Sequence, residues 1–281
     1  MRFDVTGKVS LDHIYDQPDP RTYFRLLRPL DYSVPQQAKP YFAKLITEYR
    51  ESRHVAVPKV LDIGCSYGVN AALLKYDATM DELYARYGGE EHMGESREVL
   101  LARDRELVRS RRPPDPIRFV GLDTSGSALS YAREAGFLDD AVHADLEEHE
   151  PTSRQRAQLA GTDLVISTGC VGYVTERTLT RVVRAPGARR PWMAHFVLRM
   201  FPFDPVERAL AGLGYRTVRV DEVFRQRRFA SPQEQARVLD SMSAAGVDPG
   251  GLEAEGWLYA QLHLSRPYDI TGTNDPNREQ S

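Results

Sequence analysis

The chain has 281 residues, 41% of them hydrophobic and 27% charged, with 37 Lys and Arg against 40 Asp and Glu and a formal net charge of −3. That balance supplies no global pull toward DNA or RNA, and a mean hydropathy of −0.47 with no run of about eighteen apolar residues excludes a membrane-spanning helix. Two cysteines, Cys65 and Cys170, are too few for a disulfide framework and lack zinc-ligand spacing, so no metal site is expected.

The N-terminus MRFDVTGKVSLDHIYDQPDP has no apolar stretch after its early charges and reads as neither a signal nor a transit peptide, so a cytoplasmic enzyme is the expectation. From Asp12 to Arg53, five prolines (Pro18, Pro20, Pro29, Pro35 and Pro40) cut the chain into short helices, and only Pro40 to Tyr49 reads as a longer amphipathic one. Residues 1–54 are therefore expected to form a helical cap. VPKVLDI then meets the glycine-bearing turn GCSYG and a helix-forming stretch, the pattern of strand, loop and helix. Residues 76–116 interrupt with two charged helical stretches, MDELYARY and SREVLLARDRELVRS, closed by RRPPDP. This insertion has three roles open to it: a lid, a homodimer surface, or a solvated helical hairpin.

IRFVGLD is the second strand, and the N-capped helix TSGSALSYAREAG stops at Gly136. AVHADL, TDLVIST, WMAHFVLRM, TVRVDEVF and WLYAQLHLS supply five more strands, and a weak helix is expected in QRAQLAG. Seven strands with helices between the first five imply an α/β, doubly wound, mostly parallel sheet over residues 55–265, followed by a loose polar tail, 266–281.

The sharpest motif is DIGCSYG, Asp62 to Gly68. Gly64 and Gly68 stand where a strand hands over to a helix, so a ligand can approach main-chain N–H groups without meeting a Cβ. Glycine also serves such turns for purely structural reasons. Asp123 ends the second strand, where a carboxylate can accept both hydrogen bonds of a ribose diol; it can equally cap the next helix, in competition with Thr124, Ser125 and Ser127. Asp145 ends a third strand beside Leu146, a pair suited to an exocyclic amine and a purine face.

In this order, Asp62/Gly64/Gly68, Asp123, Asp145 and TDLVISTG resemble the class I S-adenosylmethionine-dependent methyltransferases over roughly residues 57 to 265. The resemblance implies a Rossmann-like sheet of seven strands with the last antiparallel, and S-adenosylmethionine as cofactor. It implies that the Gly64 to Gly68 loop, with Cys65 and with Asn70 bracing its helix, holds the methionyl part. Asp123, next to Thr124, takes the ribose, Asp145 and Leu146 the adenine, and Ser167 to Gly169 form the floor under the sulfonium. The sequence departs from the family in two places. About 35 extra residues separate Gly68 from Asp123, where a compact unit needs about 20. The fourth strand ends in STGCVGYV in place of an Asn-Pro-Pro-aromatic motif, which removes support for nucleobase methylation.

The expected positioners of an acceptor are Tyr173 past strand four, His195 and Arg199 on strand five, and Tyr23, Tyr32 and Gln36 from the lead-in. Tyr173 and His195 are the candidates for catalysis, and each also has a plain packing role open to it. The leading expectation is a methyltransferase of specialised metabolism acting on a small molecule. The alternative is a cyclase or lyase in which the cofactor's own amino group attacks, giving azetidine-2-carboxylate and methylthioadenosine. A binding scaffold has no need of all four ligand-facing features at once. A nicotinamide dehydrogenase is disfavoured because Ser66 stands where G-x-G-x-x-G needs its second glycine.

Overall fold

The structure, a computed structural model, describes residues 3–4, 6–9, 12–89, 92, 94–111, 115–185 and 190–268. Most of the expected tail and the centre of RRPPDP lie outside the described residues. β1 (Lys59–Ile63), β2 (Arg118–Asp123), β4 (Leu164–Thr168) and β5 (Trp192–Leu198) are near-continuous apolar runs, the signature of strands covered on both faces. With β3 (Asp140–His143), β6 (Tyr215–Arg228) and β7 (Trp257–Pro267) they form one sheet in the order β3-β2-β1-β4-β5-β7-β6. The first five are parallel, and β7 runs antiparallel to both β5 and β6. The order reverses between β1 and β4, so the carboxyl ends of β1, β2 and β4 open onto one crevice, the place where doubly wound sheets bind ligands.

Helices α1 (Asp12–Tyr15), α2 (Arg21–Leu27) and α3 (Val34–Arg53) precede the sheet. α3 is twice the length expected, because Pro40 does not break it. Pro35 sits in the first turn, where its missing N–H costs nothing. Pro40 forfeits one hydrogen bond, but Val34, Ala38, Phe42, Leu45, Ile46 and Tyr49 bury a continuous stripe against the sheet, and that burial outweighs it.

The insertion forms α5 (Met80–Gly88) and α6 (Arg97–Ser110) after α4 (Val69–Lys75), and it is no free hairpin. Phe24 of α2 stacks on Tyr87 at 4.9 Å. The hydroxyls of Tyr87 and Tyr131 both donate to the fully buried Asp104, at 2.7 and 2.6 Å, tying α5 and α6 to α7 (Gly126–Ala135). The weak helix exists as α8 (Ser153–Leu159), started by a capping box between Thr152 and Gln155. α9 (Glu176–Val183), α10 (Asp204–Gly212) and α11 (Pro232–Ala244) complete the layers.

β6 runs well past the expected TVRVDEVF. The polar RQRR lies beyond the expected strand, yet pairing with β7 through two register shifts extends β6 over it, and Arg225 and Arg228 lie over the Trp257 ring at 4.7 and 4.3 Å. This extension delivers Gln226 and Arg227 to the crevice.

Candidate functional site

The turn after β1 is built for close approach. Gly64 has φ +66, and a Cβ on it would stand 2.8 Å from the Cβ of Cys170, so both the conformation and the space demand glycine. Ser66 takes φ +48, a conformation side chains rarely adopt, and its N–H donates to Oδ2 of Asp123 at 2.8 Å, which holds the turn there. Oδ1 of Asp123 accepts the Ser125 N–H at 2.9 Å. Each carboxylate oxygen can accept more than one hydrogen bond, so Asp123 braces two loops and still offers acceptor sites to the crevice. Burial pushes its carboxyl up, opposed by those backbone N–H groups.

Asp145 anchors the end of β3 by accepting the N–H groups of Glu147 and Glu148, with Leu146 buried next to it. Glu147 is held in turn by the backbone and hydroxyl groups of Thr175 and Thr178. Under the crevice, Asn70 donates to Asp62 at 3.1 and 3.2 Å and to Oγ1 of Thr168 at 3.2 Å. The lead-in supplies the cover. The Tyr23 ring meets Tyr15, Tyr32 and Tyr67 edge-on at 5.7, 6.2 and 5.9 Å. The Tyr67 hydroxyl accepts the Gln17 N–H at 3.1 Å, and Oγ of Ser125 donates to the Tyr15 carbonyl at 2.6 Å, which fastens cover to sheet. Burial raises the phenols of Tyr23 and Tyr32 well above their usual range, so both are neutral.

These groups enclose a cavity of about 740 Å³, inside the range of small-molecule sites. Of the residues singled out from sequence, Gly64, Cys65, Asn70, Asp123, Thr124, Asp145, Leu146, Tyr173, Tyr23 and Tyr32 line it. Burial drives the thiols of Cys65 and Cys170 up, Cys170 to about 12, so neither is a ready nucleophile.

Six others do not line the cavity. Asp62 lies behind Asn70, fully buried, and burial raises its carboxyl to about 8. Gly68 starts α4 against Ala132 and Phe137. Ser167 and His195 are register partners on β4 and β5 and share a hydrogen bond at 2.8 Å; both are fully buried, and burial together with His263 pushes His195 down to about 3. Neighbours on a strand face opposite ways, so with Thr168 on the crevice side Ser167 is turned from it. Gln36 accepts the first N–H of α5, from Met80, at 2.9 Å. Arg199 pairs with Glu253 and donates to the Asp248 carbonyl at 2.8 Å.

The cavity also takes in Asp4, Lys8, Tyr15, Gln226 and Arg227, which sequence reading missed. Only TGK, a glycine turn followed by a cation, marks any of them locally. Among the described residues no cluster of His, Cys, Asp and Glu can hold a metal, and no helix is long and apolar enough to cross a membrane.

The resemblance to class I S-adenosylmethionine-dependent methyltransferases thus extends from motifs to architecture, a Rossmann-like sheet of seven strands with the last antiparallel. No protein-family model and no curated protein matches the chain. Solved structures similar to it include the [4+2]-cyclase SpnF, at 12% identity and TM-score 0.41 over 80% of each chain. The plantazolicin methyltransferase BamL, solved with SAH, is 11% identical with TM-score 0.42 over 80% of this chain and 83% of its own. Magnesium protoporphyrin IX methyltransferase ChlM from Synechocystis PCC 6803, with bound SAM, is 10% identical with TM-score 0.40 over 80% and 78%.

Proposed function

We propose that the protein is an S-adenosylmethionine-dependent methyltransferase acting on a small-molecule acceptor. The observation that carries this is the convergence in one cavity of the glycine turn at Gly64, the Asp123 carboxylate and the Asp145–Leu146 edge, from three strand ends, beneath a tyrosine cover. The residues fit the cofactor on their own chemistry. Gly64 allows a turn where a Cβ would strike Cys170, and Ser66 and Asn70, which line the cavity, each hold a buried oxygen, Oγ and Oδ1, without a hydrogen-bond partner.

When bound, S-adenosylmethionine supplies an electrophilic methyl carbon on a sulfonium. Asp123 accepts from the ribose hydroxyls, Asp145 and Leu146 meet the adenine edge and face, and Ser66 and Asn70 bind the methionyl end. Tyr15, Tyr23 and Tyr32 exclude water and present ring density to a cation. Methyl transfer is an in-line displacement, so holding the nucleophile at near-attack distance is the main task of the protein. Small-molecule acceptors suit a cavity closed by the N-terminal segment.

A second reading is the cyclase or lyase, and one observation favours it. Among the described residues no histidine lines the cavity, His195 being sealed in the core. A reaction that uses the cofactor's own amino group needs no outside nucleophile to be activated. Calorimetry with S-adenosylhomocysteine tests the shared premise: saturable binding is expected, and none at millimolar ligand sinks both readings. Mass spectrometry of the purified protein incubated with S-adenosylmethionine alone separates them, since methylthioadenosine without an acceptor assigns the second.

A further inference from the structure

One end of the cavity is built by residues far apart in the chain. Phe3 and Val9 form an antiparallel bridge closed by a turn at Gly7, φ +88, where a Cβ would stand 2.9 Å from that of Arg237. The Val9 N–H donates to Oε1 of Glu234 at 2.8 Å, and the Arg237 guanidinium lies 4.4 Å from the Phe3 ring centroid. These contacts press the hairpin onto α11 and carry Lys8 into the cavity with 8% of its surface exposed.

The Lys8 ammonium forms no hydrogen bond among the described residues; it sits 5.2 Å from the Tyr173 ring centroid. The neighbouring carboxylates of Asp4 and Glu234 attract it electrostatically but form their hydrogen bonds elsewhere. Asp4 accepts from the Thr6 N–H and hydroxyl, the Lys8 N–H and the Tyr173 hydroxyl. Glu234 takes both terminal nitrogens of the Arg227 guanidinium, at 3.0 and 2.6 Å, which also occupies that cation. Next to Arg227, Gln226 is 5% exposed, lines the cavity and has a buried Oε1 without a partner. A lysine whose ammonium has no hydrogen bond among the described residues and a glutamine with a buried, unpartnered acceptor therefore line one cavity, and a buried acceptor is seldom left so unless something else completes it.

Resting on the methyltransferase reading, we propose that this end is the acceptor subsite and that the acceptor carries a carboxylate, paired with the Lys8 ammonium, beside a hydrogen-bond donor received by Oε1 of Gln226. With Arg227 held by Glu234, Lys8 brings the one cation among the described lining residues not paired to a carboxylate by a hydrogen bond, and Asp4 already attracts it. A monoanion is favoured over a phosphate dianion, which would add a second unpaired negative charge next to Asp4. Burial and the neighbouring Arg227 lower Lys8 to about 8 in the free protein, and a bound carboxylate reverses that shift.

The test is calorimetry on the full chain with a panel of aryl carboxylates, 4-hydroxybenzoate among them, each paired with its carboxamide, with and without saturating S-adenosylhomocysteine. Carboxylates are expected to bind at least about tenfold more tightly than their amides, a difference of about 1.4 kcal/mol. The preference should vanish in Lys8→Met and persist in Lys8→Arg, which keeps the charge and controls for folding. A wild-type protein that favours no carboxylate over its amide, or a preference that survives in Lys8→Met, overturns the proposal. Failure of the nucleotide to bind would instead count against the methyltransferase reading, because the titrations without it still report on the subsite.

Discussion

Replacing Asp123 by alanine is the perturbation that asks most of the site. The carboxylate has two duties with separable readouts: it accepts the Ser66 and Ser125 N–H groups at 2.8 and 2.9 Å, and on the proposed function it accepts from the ribose. Hydrogen bonds to an ionised group contribute about 1.5 to 3 kcal/mol, so the variant should bind S-adenosylhomocysteine roughly 10- to 150-fold more weakly. Loss of the bracing also frees a strained Ser66, which lowers the melting temperature and adds to the affinity loss. A thermodynamic cycle separates the two contributions. Adenosine and 2′-deoxyadenosine are titrated into wild type and Asp123→Ala by calorimetry, and the preference for the hydroxylated nucleoside should appear in wild type and disappear in the variant. If wild type shows no preference, or the variant binds S-adenosylhomocysteine as tightly as wild type, Asp123 has no contact with the sugar and the ribose assignment fails.

Three other outcomes follow from burial and packing. His195 is pushed down to about 3 by burial and His263, so the unfolded chain takes up a proton below its ordinary value near 6.5 while the folded protein does not. Stability is therefore lost as pH falls from about 6.5 toward 3, by up to about 1.4 kcal/mol per pH unit, and His195→Gln should flatten that dependence in urea titrations at pH 7 and pH 5. His263 is depressed to about 4 and leaves a residual slope, whereas an unchanged slope in the variant would contradict the burial argument. Asp62 has the opposite sign: its carboxyl, raised to about 8 by burial, keeps a proton that the unfolded chain releases above about pH 4, so it costs stability as pH rises toward 8. The stability of Asp62→Asn relative to wild type should rise between pH 5 and pH 8, and a difference independent of pH would refute this. A Cβ on Gly121 would stand 2.5 Å from Sγ of Cys65 and 2.6 Å from Cδ1 of Leu138, so Gly121→Ala should destabilise by about 1 to 3 kcal/mol and lower the melting temperature. An unshifted melt would show that the core yields there without cost.

The apolar runs of β1, β2, β4 and β5, and the helices between them, were legible because burial on both faces writes itself into every residue of a strand. The same local logic placed Gly64, Asp123 and Asp145, since the carboxyl ends of parallel strands open onto one edge of the sheet. Where a strand hides one side chain and presents the next, periodicity could not say which face meets the ligand, so Ser167 and His195 were expected in a site from which they are turned away. Arg199 and Gln36 were taken by partners distant in sequence, Glu253 and the first turn of α5.

By itself, then, the sequence determined the α/β alternation, the tight turn after β1 and the acidic residues at the ends of β2 and β3, all consequences of local conformation and burial. Only the tertiary structure decided what closes the cavity. Lys8 and Gln226 stand 218 positions apart in the chain (226 − 8), and only the packing of a hairpin on α11 and the pairing of β6 with β7 bring them to one space.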